Sequence, residues 1–149
     1  MPGDENKALL RRFFKAEDQG NLETIEELFA PDFVDHSLNP GQEPDRDGYL
    51  RSLVRYHATF SHCRTSIDYL ATDGDMMISR VTTRNFHARG QLIGITPNGK
   101  AHETTSILIH HISGGKIVEE WCESSGLAAV RGERFEEARE RIEQELEVE

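Results

Sequence analysis

Two side chains in this sequence combine a suitable type with a suitable position for acid–base chemistry, His36 and Glu120. Imidazole titrates near physiological pH and can act as a base or as a hydrogen-bond donor. A glutamate whose pKa is raised by burial can exchange protons near neutral pH. His36 closes a short apolar segment, and Asp35 beside it could orient the ring. Both are candidate catalytic residues; the alternatives are a strand-end histidine bonded to a loop backbone and a glutamate on a solvated rim.

Three other groups could carry chemistry. Cys122 could act as a nucleophile only if its thiolate were stabilised, and the sequence shows no nearby cation. The alternative is a small buried core residue. Arg80 shares a predicted strand face with Arg84 and could hold an anionic substrate, or pair with the many carboxylates. His102 begins a zinc-protease pattern, HExxH, that the sequence does not complete. We therefore predict no metal site.

The elements that must position these residues follow from hydrophobic periodicity. A helical apolar stripe predicts a first helix over about residues 4–19, with Phe14 on its inner face. Asn21 can cap a second helix that Pro31 stops, and a third is predicted near residues 47–60. A short strand at residues 33–34 is predicted between the second and third helices. Alternating patterns separated by turn residues predict four later strands, over residues 64–71, 76–87, 101–112 and 116–123.

Helices followed by a meander of strands predict an α+β fold. We expect a curved antiparallel sheet with three N-terminal helices packed on its concave face. The space that the helix side chains leave unfilled is a natural small-molecule pocket. The predicted domain covers residues 1–130. Residues 131–149 form a charged C-terminal helical extension, whose apolar stripe docks on that domain or on a second subunit.

Composition limits the classes of partner. The chain has 149 residues and a formal net charge of -10, a field that repels phosphate backbones, so we expect no nucleic-acid binding. No apolar stretch approaches the roughly 20 residues that a membrane span needs, and the N-terminus lacks the apolar core of a signal peptide. The two cysteines form neither a metal spacing nor a disulfide framework. We therefore expect a cytoplasmic protein without a membrane partner.

Four stretches resemble the SnoaL-like polyketide cyclases, within the nuclear-transport-factor-2-like superfamily, over about residues 6–130. They are DQGNLETIEELFAPDFVDH (Asp18 to His36), RGQLIGITPNGK (Arg89 to Lys100), SILIHHISGGKIVEEW (Ser106 to Trp121) and GLAAV (Gly126 to Val130). The resemblance implies a conical barrel around a largely apolar cavity. In such cyclases a carboxylate and a histidine close a polyketide ring without metal or organic cofactor. It also implies a small apolar ligand or substrate and a homodimer.

The same resemblance bears on individual positions. His36 corresponds to the acid–base carboxylate of steroid isomerases in the superfamily. Active cyclases commonly have Asp at the position of Cys122, so Glu120, two residues earlier, could supply the carboxylate instead. The expected function is cofactor-independent acid–base catalysis (of cyclase, isomerase or hydrolase type) on an apolar carbonyl-bearing substrate. The alternative is a non-catalytic module that binds a small ligand.

The terminal hairpin decides which residues face the pocket. If Gly114 and Gly115 form its tip, Ile112 pairs with Ile117 and each earlier residue pairs in step. Alternation then gives one face with Glu120 and another with Trp121, and a one-residue error in register exchanges the two. Analogy with the superfamily assigns the Glu120 face to the pocket. The predicted substrate-binding set is Asp35, His111, Cys122, Phe14, Ile107, Ile109 and Arg80.

Overall fold

The computed structural model describes residues 2–87, 101–125 and 135–147. Four helices and five strands follow one another within these ranges. They are α1 (Pro2–Gln19), α2 (Leu22–Leu28), β1 (Phe29–Asp35), α3 (Arg46–Thr59), β2 (Phe60–Asp73), β3 (Met76–His87), β4 (Ala101–Ser113), β5 (Lys116–Ser124) and α4 (Phe135–Glu147). The stretches of the sequence at residues 89–100 and 126–130 that resemble the cyclases lie outside the described residues.

Local signals set the helix boundaries. Gly20 has a φ of +64°, a left-handed conformation that glycine adopts without strain, and it ends α1. The Asn21 side chain accepts a hydrogen bond from the Thr24 backbone N–H at 3.2 Å, which confirms the predicted cap of α2. α2 ends at Leu28 rather than at Pro31, because Phe29 is already extended and opens β1.

The sheet has the strand order β1-β5-β4-β3-β2. Three neighbouring pairs are antiparallel, and β1 joins the edge parallel to β5. The sheet curves without closing, and α1, α2 and α3 cover one side of it. The predicted α+β fold with helices packed on a curved sheet is confirmed.

Helix side chains and one face of the sheet form a single apolar core. We call this side the inner face; it carries Met77, Val81, Leu108, Ile112 and Ile117. Burying an apolar side chain of this size contributes roughly 1.5–3 kcal/mol. The buried core residues are Leu10, Phe13, Phe14, Ala16, Ile25, Leu28, Phe29, Phe33, Tyr49, Leu53, Met77, Val81, Leu108, Ile112 and Ile117.

A β-bulge changes the register of the terminal hairpin. Ile112 pairs with Ile117 as predicted, but His111 then pairs with Glu119, so Val118 is an extra residue on β5. Every earlier pair is shifted by one residue, and the predicted register is wrong beyond its first pair. The inner face consequently combines the Glu120 side of β5 with the β4 residues that were expected to point outward.

The C-terminal helix α4 lies in the predicted charged extension. Its apolar side chains Ile142 and Leu146 are 51% and 65% exposed. None of the described helices combines the length and apolarity that crossing a membrane requires.

Candidate active site

A histidine and a glutamate form a buried pair on the inner face. His110 Nε2 lies 2.9 Å from Glu120 Oε2, and the side chains are 0% and 7% exposed. The two residues stand directly opposite each other on β4 and β5. The Phe13 and Phe14 rings of α1 meet the imidazole edge-on, with centroids 5.2 Å and 6.2 Å away. Glu120 thereby fixes the orientation of the ring.

The inner face also holds buried polar atoms without a partner. His110 Nδ1 and Ser79 Oγ have no hydrogen-bond partner among the described residues. Ser79 is fully buried on β3, opposite Leu108, and so stands diagonally from His110 on the same face. Buried polar atoms are normally hydrogen-bonded, so such atoms commonly mark the place of a ligand or a water molecule.

Asp35 ends β1 with its side chain on the inner side. It accepts hydrogen bonds from the Ser37 backbone N–H at 2.9 Å and from Gln42 Nε2 at 2.7 Å. Burial raises the pKa of Asp35, the two hydrogen bonds lower it, and the negative charge of Glu120 raises it. Asp35 therefore lies within electrostatic reach of the pair and ties the loop after β1 to the inner side.

A third carboxyl group, Glu17 of α1, belongs to the same neighbourhood. The Tyr49 hydroxyl of α3 donates a hydrogen bond to Glu17 Oε1. Burial raises the pKa of Glu17 well above its usual value, and the charge of Glu120 raises it further. The sequence analysis missed this residue, although Glu17 follows Phe13 by one helical turn and so continues the buried stripe.

Cys122 lies half-buried on the inner side of β5, and its backbone N–H donates to Ser37 Oγ at 2.8 Å. Burial, followed by the charge of Glu120, raises the pKa of its thiol to about 12. The thiolate is the nucleophilic form of cysteine, so this side chain is inert near neutral pH.

His36 lies on the opposite side of the sheet from the pair, and its predicted inward orientation is wrong. Its ring stacks on Trp121 with the centroids 4.5 Å apart, and Nε2 lies 3.2 Å from Glu119 Oε1. Neighbours in extended chain point to opposite sides, so the inward position of Asp35 sends His36 outward.

His111 also faces outward, because the bulge reverses the predicted faces of β4. Its Nδ1 lies 3.0 Å from Glu119 Oε2, so Glu119 bridges two histidines that are each about one-third exposed. His110, which alternation with His111 placed on the other face, takes the inner position. Both alternating faces of β4 are equally apolar in sequence, so no sequence signal distinguishes His110 from His111.

Three other predicted lining residues lie on the outer face. Ile107 is 54% exposed, Ile109 pairs across the strands with Trp121, and Arg80 binds Asp68 Oδ2 at 2.6 Å. The bulge explains the isoleucines, and the ion pair is the alternative that we had weighed for Arg80. Phe14 lies on the inner side as predicted.

Two surface depressions accompany these elements. One, of about 390 Å³, lies on the outer face and is lined by Arg80, Thr105, Ser106, Ile107, Glu123, Ser124 and Ser125. The other, of about 480 Å³, lies beside α3 and is lined by Gly41, Glu43, Gly48, Arg51, Val54 and Arg55. Neither includes His110 or Glu120, so the enclosed pocket stays a prediction. Within the described ranges, no group of three or more His, Cys, Asp or Glu side chains is arranged to hold a metal ion.

Residues 7–131 match the family model of the SnoaL-like polyketide cyclases, which covers most of the chain. The chain belongs to this family. The predicted resemblance is thereby confirmed. No curated protein matches the sequence of this SnoaL-like chain significantly.

Solved structures share the fold of this SnoaL-like protein. TsrD from Streptomyces laurentii is 23% identical with a TM-score of 0.76, over 86% of this chain and 93% of its own. IdmH from Streptomyces antibioticus, a candidate polyketide cyclase, is 26% identical with a TM-score of 0.74, over 84% and 95%. AclR from Streptomyces galilaeus, a candidate hydroxylase, is 21% identical with a TM-score of 0.72, over 82% and 90%. Relatives described as catalysing different reactions thus share one fold, so the fold alone does not fix the reaction.

Proposed function

We propose that this SnoaL-like protein is an enzyme that uses general acid–base catalysis, without a cofactor, on an uncharged apolar carbonyl compound. One observation carries the proposal: His110 is fully buried, paired with Glu120 at 2.9 Å, and has Nδ1 unpartnered among the described residues. Membership of a polyketide cyclase family supports the same class of substrate.

The geometry of the pair defines a role for each member. In the tautomer that carries hydrogen on Nε2, His110 donates to Glu120 Oε2 and presents the lone pair of Nδ1. That nitrogen can remove a proton from carbon beside a carbonyl group, and Glu120 stabilises the imidazolium that forms. The separated proton returns to another atom of the substrate in the second half of the reaction. A His–carboxylate pair of this kind contributes typically 10²–10⁴-fold to a rate.

The binding space that we propose lies between α1 and the inner face. Phe13 and Phe14 would form one wall, with Leu108 and Ser79 opposite. Aromatic and aliphatic walls with a few polar atoms suit an apolar molecule that carries one carbonyl oxygen. The carboxyl groups of Asp35 and Glu120 would repel an anionic compound, so binding of such a compound is disfavoured.

The chain supplies a matched control for this proposal. His110 and Glu120 on the inner face and His111 and Glu119 on the outer face are neighbouring pairs of the same chemical type. The experiment measures deuterium incorporation from D₂O beside the carbonyl of 1-indanone by proton NMR. We expect His110→Gln to slow the catalysed exchange by about 10²-fold or more, and His111→Gln to leave it within about twofold. Equal rates for wild type and His110→Gln would reject the pair as the catalytic group.

The alternative is a non-catalytic module that binds a small apolar ligand. Cys122 favours it, because a thiol with a pKa of about 12 stands where active cyclases commonly have Asp. Shifts of methyl NMR signals on addition of 1-indanone, without accelerated exchange, would favour this alternative. Exchange lost in Glu120→Gln at unchanged fold and unchanged 1-indanone affinity would exclude it.

We also propose that the protein acts in the cytoplasm as a homodimer and does not bind nucleic acid or membranes. Exposed apolar side chains on the outer face support a second copy as partner; Tyr69 is 74% exposed and Ile107 54%. The net charge of -10 disfavours binding to phosphate backbones. Light scattering coupled to size exclusion measures the mass in solution, and a monomer would contradict the dimer.

A further inference from the structure

The reaction proposed above does not use Glu17, whose side chain is held in the interior by Tyr49 and the aromatic rings around it. Its carboxyl accepts the hydroxyl hydrogen of Tyr49. The Tyr49 ring in turn packs against Phe29, Phe33 and Phe13, with centroids 4.8 Å, 5.8 Å and 6.4 Å away. The backbone carbonyl oxygen of Glu17 lies 2.6 Å from His57 Nε2. These contacts of the Glu17 side chain and backbone hold this part of α1 against α3.

The titratable groups near the Glu17 carboxyl lie on several of the elements packed around α1. Asp18 follows it on α1 and binds Thr65 of β2, Asp35 ends β1, and Glu120 is on β5. A negative charge on Glu17 in turn raises the pKa of Cys122 of β5 and of Tyr56 of α3. His110 of β4 lies beside Glu120.

These surroundings favour the neutral form of the acid. Part of the residue remains exposed, yet burial of the carboxyl is the largest cause that raises the pKa of Glu17. The charges of Glu120, Asp18 and Asp35 follow in that order, and each raises it. A carboxyl group whose surroundings favour its neutral form is a recurrent choice for a general acid.

We infer that Glu17 is the general acid of the site, and that it donates its proton to the carbonyl oxygen while His110 removes the neighbouring carbon-bound proton. This inference rests on the proposed function and deepens it. The geometry that supports it is a chain of contacts through the interior. Tyr49 binds the Glu17 carboxyl, and the Phe13 ring lies 6.4 Å from the Tyr49 ring and 5.2 Å from the His110 ring, centroid to centroid.

The step balances without a further reactant. His110 Nδ1 takes the proton from carbon, the electron pair of that C–H bond forms the carbon–carbon double bond, and the carbonyl oxygen takes the proton of Glu17. The products are an enol, an imidazolium held by Glu120 and a Glu17 carboxylate. Return of both protons, or attack of the enol carbon on a second carbonyl group, restores the starting charges.

The inference narrows the substrate class. The carbonyl must carry a C–H bond on the neighbouring carbon, and no anionic group can lie near that end of the molecule. A carboxylate placed there would be repelled by Asp35 and Glu120 and would raise the pKa of Glu17 further. A neutral ketone such as 1-indanone satisfies both conditions.

A titration of the wild-type protein tests the acid without any substrate. Carboxyl ¹³C signals of labelled glutamate are followed by NMR from acid to alkaline pH, with the Glu17 signal identified by its absence in Glu17→Gln. We expect its midpoint well above the value of about 4.3 for an ordinary glutamate. A midpoint near that ordinary value overturns the inference.

Exchange kinetics test the catalytic part. We expect Glu17→Gln to slow deuterium exchange of 1-indanone by about 10²-fold and to remove the loss of rate that the wild type shows as pH rises through the ionisation of Glu17. Glu5→Gln, an exposed position on the same helix, is the charge-matched control and should keep the wild-type rate. Equal rates in Glu17→Gln and Glu5→Gln overturn the inference. An unchanged rate in His110→Gln would instead reject the proposed function, so the two failures are distinguishable.

Discussion

At the scale of single residues, two neighbouring His–Glu pairs have the same chemical groups but differ in burial. His110 and Glu120 are buried on the inner face, whereas His111 and Glu119 are about one-third exposed on the outer face. Removing one partner of a buried pair costs typically 3–5 kcal/mol because the other is left unpaired. An exposed pair contributes only about 0–1 kcal/mol. The substitutions His110→Gln and His111→Gln keep a hydrogen-bonding side chain opposite each glutamate, so they leave neither glutamate without a potential partner.

The hydrogen bond from Gln42 to Asp35 makes a prediction about pH. Asp35 has a raised pKa in the folded state, so its contribution to stability is fully present below the unfolded value of about 3.9 and is lost as pH rises through the folded pKa. Gln42 opposes this loss, since it donates to the charged form at 2.7 Å. We therefore expect Gln42→Leu to destabilise the protein more at pH 7 than at pH 4, by about 1–3 kcal/mol, as measured by urea denaturation.

Ser52→Ala is the control for this prediction. It removes the hydrogen bond that Asn39 Nδ2 of the same loop donates to Ser52 Oγ of α3, without touching Asp35. Its effect should be independent of pH between 4 and 7. A Gln42→Leu effect that is equally flat would show that Gln42 acts on the loop alone.

At the scale of elements, the junction before α3 brings the backbone unusually close to itself. The Asp45 side chain caps α3 by accepting from the Gly48 N–H at 2.8 Å. A Cβ added at Gly48 would lie 2.1 Å from the carbonyl oxygen of Glu43, a backbone atom that cannot swing aside. This approach also holds the loop that carries Gln42, so the junction helps to position Gln42 against Asp35.

We expect Gly48→Ala to destabilise the protein by about 1–3 kcal/mol, because the added methyl group displaces the backbone. Gly3→Ala is the same chemical change in α1, where the nearest side-chain atom of Thr72 would lie 3.8 Å away. There we expect a stabilisation of up to about 1 kcal/mol, from the higher helix propensity of alanine. Thermal denaturation of both variants checks the two signs, and equal effects would contradict the close approach at Gly48.

At the scale of the whole molecule, the family match and the charged tail separate two parts of the chain. The match ends at residue 131, and α4 follows with Ile142 and Leu146 more than half exposed. An exposed apolar stripe on a charged helix suits an appendage that does not complete the core. The division into a domain over residues 1–130 and an extension over 131–149 is still a prediction.

Truncation after Val130 tests this division. We expect the shortened chain to keep its near-ultraviolet circular dichroism and to lose less than about 1 kcal/mol of unfolding free energy, in the range of surface changes. Size exclusion with light scattering should show whether the tail holds two copies together. An unchanged mass would reject an assembly role for the tail, and loss of cooperative unfolding would contradict the predicted domain boundary.

The sequence by itself determined the α+β fold, since helical stripes, the Asn21 cap and the strand turns are local signals that survive in the structure. Alternation within β5 also placed Glu120 and Cys122 on one face correctly. Only the tertiary structure decided the partner of Glu120. Alternation fixes faces within one strand, whereas pairing between strands depends on the hydrogen-bond ladder, and the extra Val118 shifts that ladder by one residue. This shift brings His110 inside in place of His111, and the burial of Asp35 on the inner side leaves its neighbour His36 outside.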